Sequence, residues 1–104
     1  MSLSTHVLDA ALGRPAAGVA VRLEREGSVV AEAVTDADGR VRELGELAAG
    51  VHRLTFDTGA YFAASGRDAF YPEVTVAFTV TDPDEHHHVP LLLSPYAYST
   101  YRGS

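Results

Sequence analysis

His86, His87 and His88 stand in a row directly before Val89-Pro90-Leu91-Leu92-Leu93. Imidazole titrates near neutrality, with an unperturbed pKa of about 6.5, and its ring nitrogens also bind transition metals. The row therefore suits acid–base catalysis, a zinc site shared by residues i and i+2 of a strand with a third ligand such as His6, or simply a solvated polar face. Spacing alone leaves these readings open. His6, in Leu3-Ser4-Thr5-His6-Val7, is a fourth imidazole, and Arg40 follows the turn-forming run Asp36-Ala37-Asp38-Gly39. A guanidinium presented by a tight turn suits an anion or a carbonyl oxygen, because its planar fork gives two parallel donors. Calcium is excluded at that turn: counted from Asp36, the position where an EF-hand loop needs Glu is Leu47.

Strands must position these groups, because nearly every segment alternates apolar and polar residues with period two. Leu3, Thr5 and Val7 share one face, which leaves Ser4 and His6 on the other. Val19 to Glu24 and Val29 to Val34 read as strands joined by a turn at Gly27-Ser28. Val51 to Asp57, Val74 to Thr81, His86 to Ser94 and Tyr96 to Tyr101 read as strands as well. In His86 to Ser94 the apolar set Val89, Leu91 and Leu93 marks the core side, so His86 and His88 face outward. His87 shares the apolar parity and is expected near a strand end, where its ring reaches water. Pro90 has no N–H to give a ladder, which implies an edge or a bulge. Thr58 to Gly66 breaks the alternation and suits two turns of helix. Seven to eight short strands and one short helix imply an all-β sandwich, a single domain over residues 1–104.

Composition narrows the function classes. The chain has 104 residues, 46% of them hydrophobic and 21% charged, and a formal net charge of −6. That balance is globular and acidic, which argues against nucleic acid or an anionic membrane as the main partner. The absence of cysteine excludes a disulfide framework, a thiolate nucleophile and a cysteine-ligated metal. No apolar run is long enough for a membrane helix, and the start lacks the pattern of a signal peptide, so the expected location is cytoplasmic. Three of the five tyrosines lie in Tyr96 to Tyr101, where ring and hydroxyl together suit an interface, so an oligomer is expected. His6 and His88 on an outer sheet face would be bathed in water, and a working site there needs walls from another subunit.

Five segments carry a resemblance that runs the length of the chain in order. They are Leu3-Ser4-Thr5-His6-Val7-Leu8-Asp9, Thr35-Asp36-Ala37-Asp38-Gly39-Arg40, Phe70-Tyr71-Pro72-Glu73-Val74, His88-Val89-Pro90-Leu91-Leu92-Leu93-Ser94-Pro95 and Tyr101-Arg102-Gly103-Ser104. Together they resemble the 5-hydroxyisourate hydrolases of the transthyretin-related family. The resemblance implies a transthyretin-like β-sandwich, a homotetramer built as a dimer of dimers, and hydrolysis of 5-hydroxyisourate with no cofactor and no resident metal. It implies His6, Arg40 and His88 as catalytic residues and Tyr101, Arg102, Gly103 and Ser104 as the substrate-binding segment. Two positions depart from the family pattern, His87 where Tyr is frequent and Ala97 where Gly is common. A transthyretin-like carrier of small molecules, with no enzymatic activity, is the alternative that the fold alone does not exclude.

Overall fold

Burial alternates along β1, Leu3–Asp9: Leu3, Thr5, Val7 and Asp9 are buried, while Ser4, His6 and Leu8 are half-buried on the outer face. In the computed structural model, which describes residues 2–104, β1 is the centre of one of two sheets. The other elements are β2 (Arg14–Pro15), β3 (Ala20–Arg25), β4 (Ser28–Val34), β5 (Arg40–Val41), β6 (Gly50–Phe56), α1 (Thr58–Ala64), β7 (Val74–Val80), β8 (His87–His88), β9 (Leu91–Ser94) and β10 (Ala97–Thr100). In the first sheet β10, β9, β1 and β2 are neighbours in that order, and β5 and β8 also pair with β1. The second sheet runs β4-β3-β6-β7. Leu3, Val7, Leu91 and Leu93 from the first sheet meet Val21, Leu23, Leu54, Phe56 and Val74 from the second, with Phe62 of α1, in one core. Apolar burial on this scale is the main driving force for the fold.

The expected sandwich and helix are therefore present, with ten strands among the described residues, three of them only two residues long. Several local expectations change. The β3–β4 turn lies at Glu26-Gly27, both at positive φ, and Ser28 already pairs with Arg25. A two-residue loop with both φ values positive matches the twist of a hairpin. His86 to Ser94 is not one unbroken strand. Pro90 interrupts the ladder between β8 and β9, yet both pieces run parallel to β1 in the same register, and β9 is flanked by β1 and β10. The proline thus makes a gap inside the sheet, not an edge or a bulge. Asp57 leaves the end of β6 and caps α1, its carboxylate accepting from the Ala60 amide.

Candidate active site

His6 and Arg40 are register partners on antiparallel β1 and β5, so their side chains leave the same face of the sheet. Directly opposite residues of such a pair hold their Cβ atoms about 5 Å apart. The turn before Arg40 is tied by Asp36, whose Oδ1 accepts from the Asp38 amide at 2.9 Å and the Arg40 amide at 3.0 Å. These bonds hold the Asp36 carboxyl below its usual range. Gly39 is required at this turn. Its φ is 74°, and a side chain there would strike the Val7 carbonyl and crowd Pro15. The Gly39 carbonyl in turn accepts from the Val7 amide at 2.7 Å, which docks the turn on β1. His6 Nε2 donates to the Asp38 carbonyl at 2.9 Å. A carbonyl only accepts, so the neutral ring carries its proton on Nε2 and leaves the Nδ1 lone pair free.

Ser4 precedes His6 by two positions on the same face, and its register partner across the parallel ladder is His88. Ser4 Oγ lies 2.7 Å from His88 Nδ1 and 2.9 Å from His86 Nε2, hydrogen-bonded to both. His86 Nδ1 bonds Ser2 Oγ at 2.7 Å. His88 is held below the usual histidine pKa, first by burial and then by the nearby Arg40 guanidinium, with smaller contributions from His6 and His86. The free ring is therefore neutral near pH 7.

The segment after β10 closes over His88. The Gly103 amide donates to the His88 carbonyl at 2.8 Å, and a Cβ on Gly103 would overlap the His88 ring at Cδ2. Beside this contact lies a cleft of about 240 Å³ between β7 and the C-terminal segment, bordered by Val76, Phe78, His88, Val89, Tyr101 and Arg102. Tyr101 is exposed along its rim. Arg102 Nη2 donates to Glu85 Oε1 at 2.6 Å, and Ser104 is exposed beyond Gly103. Among the described residues, no group of three or more His, Asp or Glu is arranged to hold a metal ion.

The outward assignment of His6, His86 and His88 holds, and His87 stands at the end of β8, on the inner face and largely buried. It is 5% exposed, its Nδ1 donates to the Glu85 carbonyl at 2.8 Å, and it borders the cleft beside β7. Nothing in the sequence marks Ser4 as functional beyond the parity it shares with His6. His52, inside the strand Val51 to Asp57, carries no sequence signal of its own. It is fully buried and stacked on Phe78, with Nδ1 on the Gly50 carbonyl and Nε2 without a hydrogen-bond partner among the described residues.

Comparison with known proteins adds three relatives. A 5-hydroxyisourate hydrolase of Caulobacter vibrioides is 50% identical, over 98% of this chain and 97% of that one. The solved structure of Klebsiella pneumoniae 5-hydroxyisourate hydrolase superimposes with a TM-score of 0.93 at 43% identity, covering 100% of both chains. Sea bream transthyretin in complex with thyroxine superimposes with a TM-score of 0.88 at 35% identity, over 97% of this chain and 93% of that one. The family model for HIUase/Transthyretin matches residues 3–103, and the chain belongs to the HIUase/Transthyretin family.

Proposed function

We propose that the protein hydrolyses 5-hydroxyisourate to 2-oxo-4-hydroxy-4-carboxy-5-ureidoimidazoline, a step of urate degradation. The observation that carries this reading is the gathering of His6, Arg40 and His88 on one sheet face, in a chain 50% identical to a 5-hydroxyisourate hydrolase along nearly its full length. The substrate has a cyclic amide. Water attacking its carbonyl must lose a proton as an oxyanion forms, and the leaving nitrogen must gain one. His88 Nε2 takes the proton of the water, for which a neutral ring is required. His6, fixed through Nε2 on the Asp38 carbonyl, presents Nδ1 and orients the same water. Arg40 binds the carbonyl oxygen and stabilises its developing charge with a planar pair of donors. Tyr101, Arg102 and Ser104, in the segment that follows β10 past His88, bind the substrate ring, and Gly103 keeps room for His88. Hydrolysis changes no oxidation state, so no redox cofactor enters.

The active form is a cytoplasmic homotetramer. Support comes from the open outer face that carries the histidines and from Phe70, Tyr71, Tyr96 and Tyr98, all exposed in the single chain. The carrier reading is not favoured, because relatives 50% and 48% identical over nearly the full chain are 5-hydroxyisourate hydrolases. The test is the decay of 5-hydroxyisourate absorbance, with substrate made in place by urate oxidase. Faster decay with wild type than with His88→Ala or with no protein supports the hydrolase and His88 in its site. Identical decay in all three would overturn it. Sedimentation velocity of the wild type reads the tetramer directly.

A further inference from the structure

A general base beside a guanidinium faces a difficulty, because each proton it takes makes a second cation next to the first. His88 has Arg40 close by, with His6 and His86 near it. Yet His88 is bonded at Nδ1, away from the nitrogen that would meet water, to a hydroxyl that is bonded in turn to a second imidazole. We infer that Ser4 and His86 are a two-way proton relay for His88, through which His88 takes a proton at Nε2 while giving one up at Nδ1.

The hydrogen bonds allow two complete arrangements. In the first, His88 Nδ1–H donates to Ser4 Oγ, the Ser4 hydroxyl donates to His86 Nε2, and His86 Nδ1–H donates to Ser2 Oγ. Every group then has a partner, and His88 Nε2 holds a lone pair. In the second, each donor and acceptor is exchanged: Ser2 donates to His86 Nδ1, His86 Nε2–H to Ser4, Ser4 to His88 Nδ1, and His88 Nε2 carries a proton. One proton shift along the chain converts the first into the second. As water gives a proton to His88 Nε2, the Nδ1 proton moves to Ser4 Oγ and the Ser4 proton to His86 Nε2. The His86 Nδ1 proton then moves to Ser2 Oγ, whose own proton passes to solvent. No imidazolium remains facing Arg40. When the amide C–N bond breaks, the leaving nitrogen takes the Nε2 proton, the chain shifts back, and Ser2 draws one proton from solvent. His86 is exposed, so the outer end of the chain is in contact with water. Ser4 and His86 are positioning residues in this scheme, since they act through His88.

This inference rests on the hydrolase reading, and the experiment separates the two. Rates on 5-hydroxyisourate are measured in mixtures of light and heavy water for wild type, Ser4→Ala and Ser4→Thr. In wild type the dependence on deuterium fraction is expected to be curved, with more than one proton in flight, and in Ser4→Ala linear. Ser4→Ala is expected to lower kcat about tenfold to a hundredfold with KM nearly unchanged, and Ser4→Thr, which keeps the hydroxyl, to restore most of it. A role in packing alone would leave the curvature intact. A wild type that turns substrate over beside a Ser4→Ala with the same kcat and the same curvature overturns the relay. Nitrogen NMR of the imidazoles needs no substrate and decides the matter if the wild type shows no hydrolysis. A change in the His88 Nδ1–H population between wild type and Ser4→Ala supports the coupled chain, and no change overturns it.

Discussion

Arg40 stands directly across the β1–β5 ladder from His6, residue opposite residue. Neither position depends on a free loop. β1 is anchored in the core by Leu3 and Val7, and the turn before Arg40 is held by Asp36 and by the close approach of Gly39 to β1. The separation between the imidazole and the guanidinium is therefore set by strand geometry, which gives the precision that a preorganised site needs.

Replacing Arg40 by Lys tests whether the planar fork matters beyond its charge. A lysine keeps one positive point charge but cannot hold an oxyanion with two parallel N–H bonds. The expected loss is about a hundredfold to a thousandfold in kcat, the range for removing a stabilising donor from a developing oxyanion. Thermal unfolding should change little, because the side chain lies on the outer face. Full activity in Arg40→Lys would remove the guanidinium from the reaction.

Gly103→Ala places a methyl group where the His88 ring now lies. Either the ring rotates away from Ser4 or the C-terminal segment lifts and its amide bond to the His88 carbonyl is lost. The first outcome moves Nε2 away from the water it must deprotonate and the second displaces Tyr101 to Ser104 from the substrate, and about a 1 Å misplacement can cost about a hundredfold in rate. The fold should survive, since the segment lies outside the core. A variant with wild-type kcat would show that the His88 position tolerates the shift.

The outward faces of His6 and His88 were legible in the sequence because period-two burial is enforced wherever one sheet face meets a core. The pairings that make a site of them were not. Ser4 and His88 are 84 residues apart, and nothing in either segment announces a parallel ladder between them. β5 is two residues long and carries no alternation, so the meeting of Arg40 with His6 had no local signal. His52 shares its parity with Leu54 and Phe56, yet an imidazole in a core runs against its usual preference for water, so the alternation alone does not single it out. Gly103 had a chemical identity in the terminal tetrapeptide, whereas its physical role appears only when the His88 ring is set against it.

Asp9 is the structural anchor at the other end of β1. Its buried carboxylate accepts from Arg67 Nη2 and the Tyr61 hydroxyl, each at 2.7 Å, and from the Leu12 amide at 3.0 Å. Burial alone would raise its pKa, but these bonds bring it below the usual carboxylate value. Asp9→Ala leaves the half-buried Arg67 cation unpaired and should cost about 3–5 kcal/mol of stability. Tyr61→Phe removes one bond to a charged group and should cost about 1.5–3 kcal/mol. Denaturant unfolding of each reads these values, and kcat of the folded protein should stay near wild type. A double-mutant cycle of Asp9→Ala with Arg67→Ala that shows no coupling would contradict the ion pair.

Stability should fall as the pH drops from about 6.5, and His52 should account for part of the fall. Burial is the main cause that holds the His52 pKa down, with Arg25 and His87 adding to it, and burial also leads at His88, where Arg40 adds to it. Above the ordinary histidine value both rings are neutral in the folded and unfolded chains, so their contribution to stability is complete. Below it the unfolded chain binds protons that the folded chain resists, and stability is lost until the pH passes the lowered folded values. Each such proton contributes a slope of at most about 1.4 kcal/mol per pH unit. Asp9 and Asp36, held below the ordinary 3.8, enter only at more acid pH. His52→Phe keeps an aromatic ring against Phe78 and removes both the titrating group and the unpartnered Nε2, a buried defect worth about 1–3 kcal/mol. Its stability at pH 7 should equal or exceed that of wild type, and its loss as the pH falls below about 6.5 should be shallower than that of wild type. Urea unfolding at half-unit pH steps measures both slopes, and parallel curves for the two proteins would place the titrating group elsewhere.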